Sequence, residues 1–169
     1  MTISMYQASV PVFIKGLTNL KAVLEKALAH AQEKKIDDTV FVGARLYPDM
    51  LPLSGQIQIA TDMARGTVAR LLGSEPPKWD DNEKTMTELI ARIDKTTDYL
   101  KTITPAQIDG TEGKAITRTI RGNPMTFAGV DYLQQFSIPN FYFHAATTYG
   151  LLRHNGIVVG KLDFLGKFA

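Results

Sequence analysis

The apolar residues near the start of the chain recur at alternating steps of three and four positions, and this spacing strongly constrains the fold. A helix places such residues on one seam, which packs against other helices in a bundle. The pattern predicts one long helix over residues 5–34. Pro11 should lie in or before its first turn, because a proline further inside removes a backbone hydrogen bond. The seam consists of Val10, Phe13, Leu17, Leu20, Leu24, Ala27 and Ala31.

Two further segments show the same helical spacing of apolar residues. A second helix is predicted over residues 54–72, where Gly73 ends it. A third is predicted over residues 82–103, with Asp81 or Asn82 as its N-cap. The charged residues of this third helix are expected on a solvated face.

The remainder of the chain predicts a hairpin and a final helix. Apolar and polar residues alternate within residues 105–129, and residues 122–124 (Gly-Asn-Pro) have the composition of a turn. The last helix is predicted over residues 130–154, and Pro139 should kink or split it. The sequence therefore predicts an all-α four-helix bundle with a small β-hairpin inserted before the last helix. One domain should span residues 1–169.

The composition is that of an ordinary globular domain. Of 169 residues, 44% are hydrophobic and 21% charged, and the net charge of +2 predicts no nucleic-acid surface. The chain has no cysteine, which excludes disulfides, thiolate zinc sites and cysteine nucleophiles. The sequence has no secretory signal pattern and no apolar run long enough for a bilayer, so we expect a cytoplasmic protein that contacts no membrane. Phosphate-loop, HExxH and GxSxG signatures are missing.

The stretch SIPNFYFHAATTYGLLRHNG (137–156) combines bulky apolar side chains with groups that can do chemistry. It holds four aromatic residues, two of the three histidines, an arginine and an asparagine. A break at Pro139 frees backbone groups that need hydrogen-bond partners, and Asn140 is placed to supply one. The alternative is that the kink opens the bundle and creates a pocket.

His144 has more than one interpretation. It is a buried, hydrogen-bonded core histidine, a surface residue, or a metal ligand or acid–base group. A metal site on one helix needs a second ligand three or four positions away, where the chain has Asn140, Phe141, Thr147 and Thr148. His154 lies about 15 Å further along an unbroken helix, so the two cannot share one ion. The third histidine, His30, is expected at the solvated surface.

Polar residues on the second helix also have two interpretations. Asp62 and Arg65 are three positions apart and can pair at the surface, whereas Gln58 and Asp62 share a face and could line a pocket. The only tryptophan, Trp79, is expected to pack against the end of the bundle. Arg153 falls in the last turn of the last helix, where it either complements the helix dipole or binds an anion.

Two long motifs resemble a known family. The segments IQIATDMARGTVARLLGSEPPKWDDNE (57–83) and PNFYFHAATTYGLLRHNG (139–156) are similar to the family known as domain of unknown function 1993. That family is grouped with the DinB/YfiT-like metalloenzymes, and the resemblance implies a four-helix bundle and a homodimer. The superfamily holds a divalent metal through three histidines, one on the second helix and two on the last. Here only His144 could correspond to such a ligand.

These observations lead to two main hypotheses. The first is a small-molecule binding or interaction protein that lacks the three-histidine metal site and has no cofactor. The alternative is a divergent metal-dependent transferase or hydrolase, in which Asp62 and His144 hold an ion. A purely structural role for all these polar groups is a third interpretation. The residues expected to line the pocket are Gln58, Asp62, Asn140, His144, Tyr149 and Arg153.

Overall fold

Four long helices form the body of the protein in the computed structural model, which describes residues 2–167. In chain order the elements are α1 (Met5–Lys34), α2 (Thr39–Val42), α3 (Leu53–Leu72), α4 (Met86–Lys101), α5 (Pro105–Ile108), β1 (Ala115–Ile120), β2 (Asn123–Ala128), α6 (Gly129–Asp131), a π-helical segment (Tyr132–Ser137), α7 (Ile138–His154) and α8 (Lys161–Leu165). The predicted bundle, with its hairpin before the last helix, is confirmed.

The long helices α1, α3, α4 and α7 pack around one continuous apolar core. Helix α3 packs against both α4 and α7, and α1 completes the ring by packing on the same two helices. At one point α1 comes so near to α7 that a Cβ atom on Gly16 would lie 2.5 Å from Cε1 of Phe141. None of the helices formed by residues 2–167 combines the length and the apolar composition that crossing a bilayer requires.

Helix α1 has the predicted bounds, and its whole predicted seam is buried. It begins with a capping box, in which Ser4 Oγ accepts from the Gln7 backbone N–H and the Gln7 side chain accepts from the Ser4 N–H. The expected position of Pro11 is wrong, because Pro11 lies inside the helix, beyond its first turn. Both Pro11 and Gln7 are exposed. The Gln7 carbonyl, which loses its usual donor, therefore lies on the solvent side.

The predicted start of the third helix is also wrong. Helix α4 begins at Met86, and its N-cap is Thr85, which forms a capping box with Glu88. Asp38 stabilises the same terminus, because its carboxylate accepts a hydrogen bond from the Met86 N–H (2.8 Å). Residues 74–84 therefore stay non-helical, and we call this segment between α3 and α4 the linker.

The hairpin and the last helix follow the prediction with two changes. Strands β1 and β2 are antiparallel, and the turn lies at Arg121 and Gly122, which both have positive φ (50° and 82°), so Asn123 and Pro124 already belong to β2. In the last helix, the break expected at Pro139 takes the form of the π-helical segment, which ends two residues before the proline. Pro139 has no N–H to donate to the preceding turn, and the wider turns of the π-helical segment make room for the backbone there.

Candidate functional site

Arg92 of α4 is the centre of a buried polar network. Only 4% of Arg92 is exposed, yet oxygen atoms lie next to all three nitrogens of its guanidinium. Its contacts are Nε to Thr61 Oγ1 (2.8 Å), Nη1 to Asp80 O (3.0 Å) and Glu83 Oε1 (2.8 Å), and Nη2 to Asp62 Oδ1 (2.8 Å) and Asp81 Oδ1 (2.8 Å). The predicted solvated face of this helix is therefore wrong at Arg92, because protein oxygens replace water there.

This network attaches the linker to the bundle through ionised groups. Gln58 Nε2 donates to Glu83 Oε2 (2.9 Å), opposite the bond that Glu83 accepts from Arg92. Burial alone would raise the pKa of Glu83, but hydrogen bonds from Arg92 and Gln58 hold that pKa below its usual value. Burial alone would lower the pKa of Arg92, but Glu83 and Asp62 raise it above its usual value. Both side chains therefore stay charged at neutral pH.

Asp62 and Arg65 form the predicted pair, in which the Asp62 side chain is 37% exposed and Arg65 is buried. Arg65 Nη2 donates to Asp62 Oδ1 at 2.6 Å, and Arg65 is only 6% exposed. The same carboxylate oxygen also accepts from Arg92. Gln58 and Asp62 share one side of α3, as predicted, and both belong to the network around Arg92.

Trp79 lies over α3 and α4 rather than at the end of the bundle. The Arg65 guanidinium carbon is 4.5 Å from the centroid of the indole, and Lys95 Nζ is 4.6 Å from it. Cations at this distance from an aromatic ring are attracted by its π electrons. Trp79 and these two cations thus fasten the linker across the outer face of both helices.

A groove of about 540 Å³ lies beside Trp79, between α3, the linker and the hairpin. We call it the arginine groove, and its main lining residues are Asp62, Arg65, Arg70, Glu75, Trp79 and Arg118. Sequence reasoning singled out only Asp62 as a pocket residue. Arg70 and Arg118 were missed because they come from separate elements, and no spacing in the chain links them.

His144 is not among the residues that line this groove. It is 9% exposed, and its Nδ1 is 2.7 Å from Gln56 Oε1. Because Gln56 Nε2 donates to Leu51 O (3.0 Å), the glutamine oxygen is the acceptor and His144 Nδ1 carries the proton. Burial lowers the pKa of His144, so the ring is neutral. The structure therefore supports the buried, hydrogen-bonded interpretation of His144.

The buried His144 should make stability depend on pH. We expect the free energy of unfolding to fall as the pH drops below about 6.5, the ordinary value for histidine, because the unfolded chain binds a proton that the folded ring resists. The loss should stop once the pH is below the lowered pKa of the folded state. His144→Gln should weaken this dependence, as measured by urea unfolding at pH 7.5 and 5.5.

The matched control for this pH effect is His30→Gln. His30 is half-buried, with its ring edge-on to Phe41 at 6.3 Å, and it has no polar partner like Gln56 among residues 2–167. It should retain the pH dependence of the wild type. Equal dependence in His144→Gln and the wild type would show that His144 does not resist protonation.

The remaining predicted pocket residues are scattered. Asn140 is half-buried and makes no side-chain hydrogen bond within the described part of the chain, so the partner role proposed for it is not seen. Tyr149 packs against Phe164 of α8, with ring centroids 5.8 Å apart. Arg153 is exposed in the last turn of α7. The structure therefore does not bring the six predicted residues into one pocket.

The residues present do not fit the metal site that the family resemblance implies. Gln56, which binds His144, precedes Asp62 by six residues on α3, or about 9 Å along the axis. Asp62 instead accepts at Oδ1 from two arginines, whose positive charges repel a cation. No cluster of three or more His, Asp or Glu suited to a metal ion occurs among residues 2–167. His144 and Asp62 are thus not arranged to hold one ion.

Comparison with known proteins agrees with the fold. A crystal structure at 1.83 Å resolution, of a DinB family member protein from Shewanella denitrificans, matches this chain with a TM-score of 0.90. The two chains are 41% identical over 96% of this chain and 92% of that one. No curated protein matches the chain. The family described as "Domain of unknown function (DUF1993)" matches residues 5–165. The chain therefore belongs to the DUF1993 family and has the DinB-like fold.

Proposed function

We propose that the protein binds a small organic molecule in the arginine groove. The observation that carries this proposal is the groove itself, whose volume of about 540 Å³ lies within the usual range for small-molecule sites. It offers an indole ring, the apolar rings of Pro76 and Pro77, and several charged groups within one concave surface. The Arg92 network holds the linker that forms one wall, so the groove is preformed.

A second cavity, of about 570 Å³ between α1 and α8, supports ligand binding less well. Its polar lining is already engaged within the protein. Asn19 donates to the Phe164 and Leu165 carbonyls (3.1 and 2.9 Å), and Asp163 pairs with Lys26 (2.7 Å). The arginine groove, by contrast, retains donors without partners among residues 2–167. We therefore place the ligand there.

The single tryptophan provides a direct test of binding. We expect small aromatic molecules, screened as benzoate, benzamide, benzylamine and phenyl phosphate, to shift the NMR resonance of the Trp79 indole N–H. Gly66→Leu should abolish the shift, because even a Cβ atom there would lie 2.5 Å from Arg70 Nη1 and a longer side chain occupies the groove. Thermal unfolding checks that this variant remains folded.

The matched control is Gly113→Leu, where an added Cβ has nothing within 4 Å. It should bind like the wild type. The proposal fails if none of the four compounds moves the Trp79 resonance, or if Gly66→Leu binds as well as Gly113→Leu. The homodimer implied by the family resemblance stays a prediction, which the molar mass of the purified protein in solution tests.

A further inference from the structure

The arginine groove contains two buried guanidinium N–H donors that have no acceptor among residues 2–167. Arg65 gives one N–H to Asp62, but its Nε is buried and has no partner. The Nε of Arg118, from β1, is likewise buried and has no partner among residues 2–167. Within residues 2–167 only two other buried side-chain atoms lack a partner, both of them hydroxyls. A buried donor without an acceptor is unfavourable, so two of them in one groove point to an acceptor from outside the chain.

Two of the three arginines in the groove have no carboxylate partner among the described residues. Neither Arg70 nor Arg118 forms an ion pair in the part of the chain that the structure describes. Arg70 lies across α3 at Gly66, and its Nη1 is 3.4 Å from the Tyr132 hydroxyl. The absence of a side chain at position 66 is what lets this guanidinium lie there. Asp62, which also lines the groove, is already shared between Arg65 and Arg92.

Two acidic residues of the groove do not cancel this charge. Glu75 and Asp80 line it as well, but both are exposed. Water and salt screen exposed charges strongly, whereas the buried Nε atoms are screened much less. The exposed carboxylates of Glu75 and Asp80 therefore offset the charge of the buried donors only weakly.

We propose that the ligand carries an anionic group, a carboxylate or a phosphate, that binds Arg65, Arg70 and Arg118. This inference rests on the proposed function and names the chemical class of its ligand. Guanidinium groups present paired N–H donors that match the oxygens of both anions. The apolar body of the ligand would lie against Trp79 and the neighbouring prolines.

The test compares anionic and neutral probes of the same shape. We expect benzoate and phenyl phosphate to shift the Trp79 indole resonance at concentrations at least roughly 10-fold lower than benzamide, because a hydrogen bond to a charged group is worth that much or more. Inorganic phosphate, titrated separately, shows whether the anionic group binds without an apolar body. The tighter of benzoate and phenyl phosphate identifies the preferred anion.

Arginine variants locate the anion. Arg70→Gln and Arg118→Gln should each weaken benzoate and phenyl phosphate binding roughly 10-fold, with little effect on benzamide. Arg70→Lys and Arg118→Lys, which keep the charge, should recover part of the affinity and guard against misfolding. Arg121→Gln is the matched control, since Arg121 lies exposed at the hairpin turn. It should change binding less than twofold, within the usual effect of a surface substitution.

The outcomes separate this inference from the proposed function. If benzamide binds as tightly as benzoate, or if Arg121→Gln weakens binding as much as Arg118→Gln, the groove binds small molecules but its arginines do not recognise an anionic group. If no probe moves the Trp79 resonance, both proposals fail.

Discussion

Arg92→Met should lower the free energy of unfolding by about 3–5 kcal/mol, the usual result of removing one partner from a buried ionic network. The substitution leaves three carboxylates, those of Asp62, Asp81 and Glu83, without their shared cation. Glu83 is affected most, since its side chain is only 11% exposed. Urea unfolding followed by circular dichroism measures the loss.

The same substitution should also release the linker. Without Arg92, the linker loses the ion pairs of Asp81 and Glu83. It also loses the hydrogen bond from Arg92 to the Asp80 carbonyl. Trp79 then moves into water, and its fluorescence should shift to longer wavelength in the folded protein. Ligand binding in the arginine groove should weaken for the same reason, because the linker forms one wall.

An exposed ion pair provides the control for Arg92. Lys21 pairs with Asp94 at 2.7 Å, but the two side chains are 31% and 48% exposed. Lys21→Met should therefore cost less than about 1 kcal/mol. If Arg92→Met cost no more than Lys21→Met, the buried network would not be what holds the linker in place.

Phe141→Ala is expected to have an effect of similar size, about 3–5 kcal/mol, because it leaves a cavity in the core. Phe141 is completely buried, and its ring meets that of Phe13 edge-on at 5.3 Å. Phe143→Ala is the control on the same helix. Phe143 is 58% exposed, so its removal should change stability by only about 0.5 kcal/mol.

Gly16 on α1 lies against the ring of Phe141, so the effects of substitutions at these two positions should be coupled. In the wild type, Gly16→Ala forces a Cβ atom against the ring of Phe141, which should cost about 1–3 kcal/mol, offset by about 1 kcal/mol of helix propensity. In the Phe141→Ala background the clash is gone, so Gly16→Ala should stabilise the protein. A double-mutant cycle by urea unfolding measures this coupling. Effects that add within about 0.5 kcal/mol would mean that the two positions do not compete for space.

Local patterns were enough to predict the main helices. The seam of α1 and the Gly73 end of α3 are properties of neighbouring residues, and the structure has both where they were expected. The start of α4 was misplaced because Asp81, Asn82 and Thr85 are all good N-caps. The pairing of Thr85 with Glu88, together with the distant carboxylate of Asp38, decided among them.

The candidate site was predictable only in part. Gln58 and Asp62 share a helix face, so their proximity followed from spacing alone. Arg92 had one weak signal, since it lies three residues after Leu89 and next to Ile93, at the edge of the apolar stripe. Its burial nevertheless depends on carboxylates from α3 and the linker.

The sequence by itself determined the helices, the hairpin and the family, because periodicity, turn residues and motifs are local along the chain. Only the tertiary structure decided which polar groups meet. Gln56 and His144 are 88 residues apart and still form a hydrogen bond, and Arg65 and Arg118 line one groove from a helix and a strand. Such contacts depend on how the elements pack, and no short-range pattern encodes them.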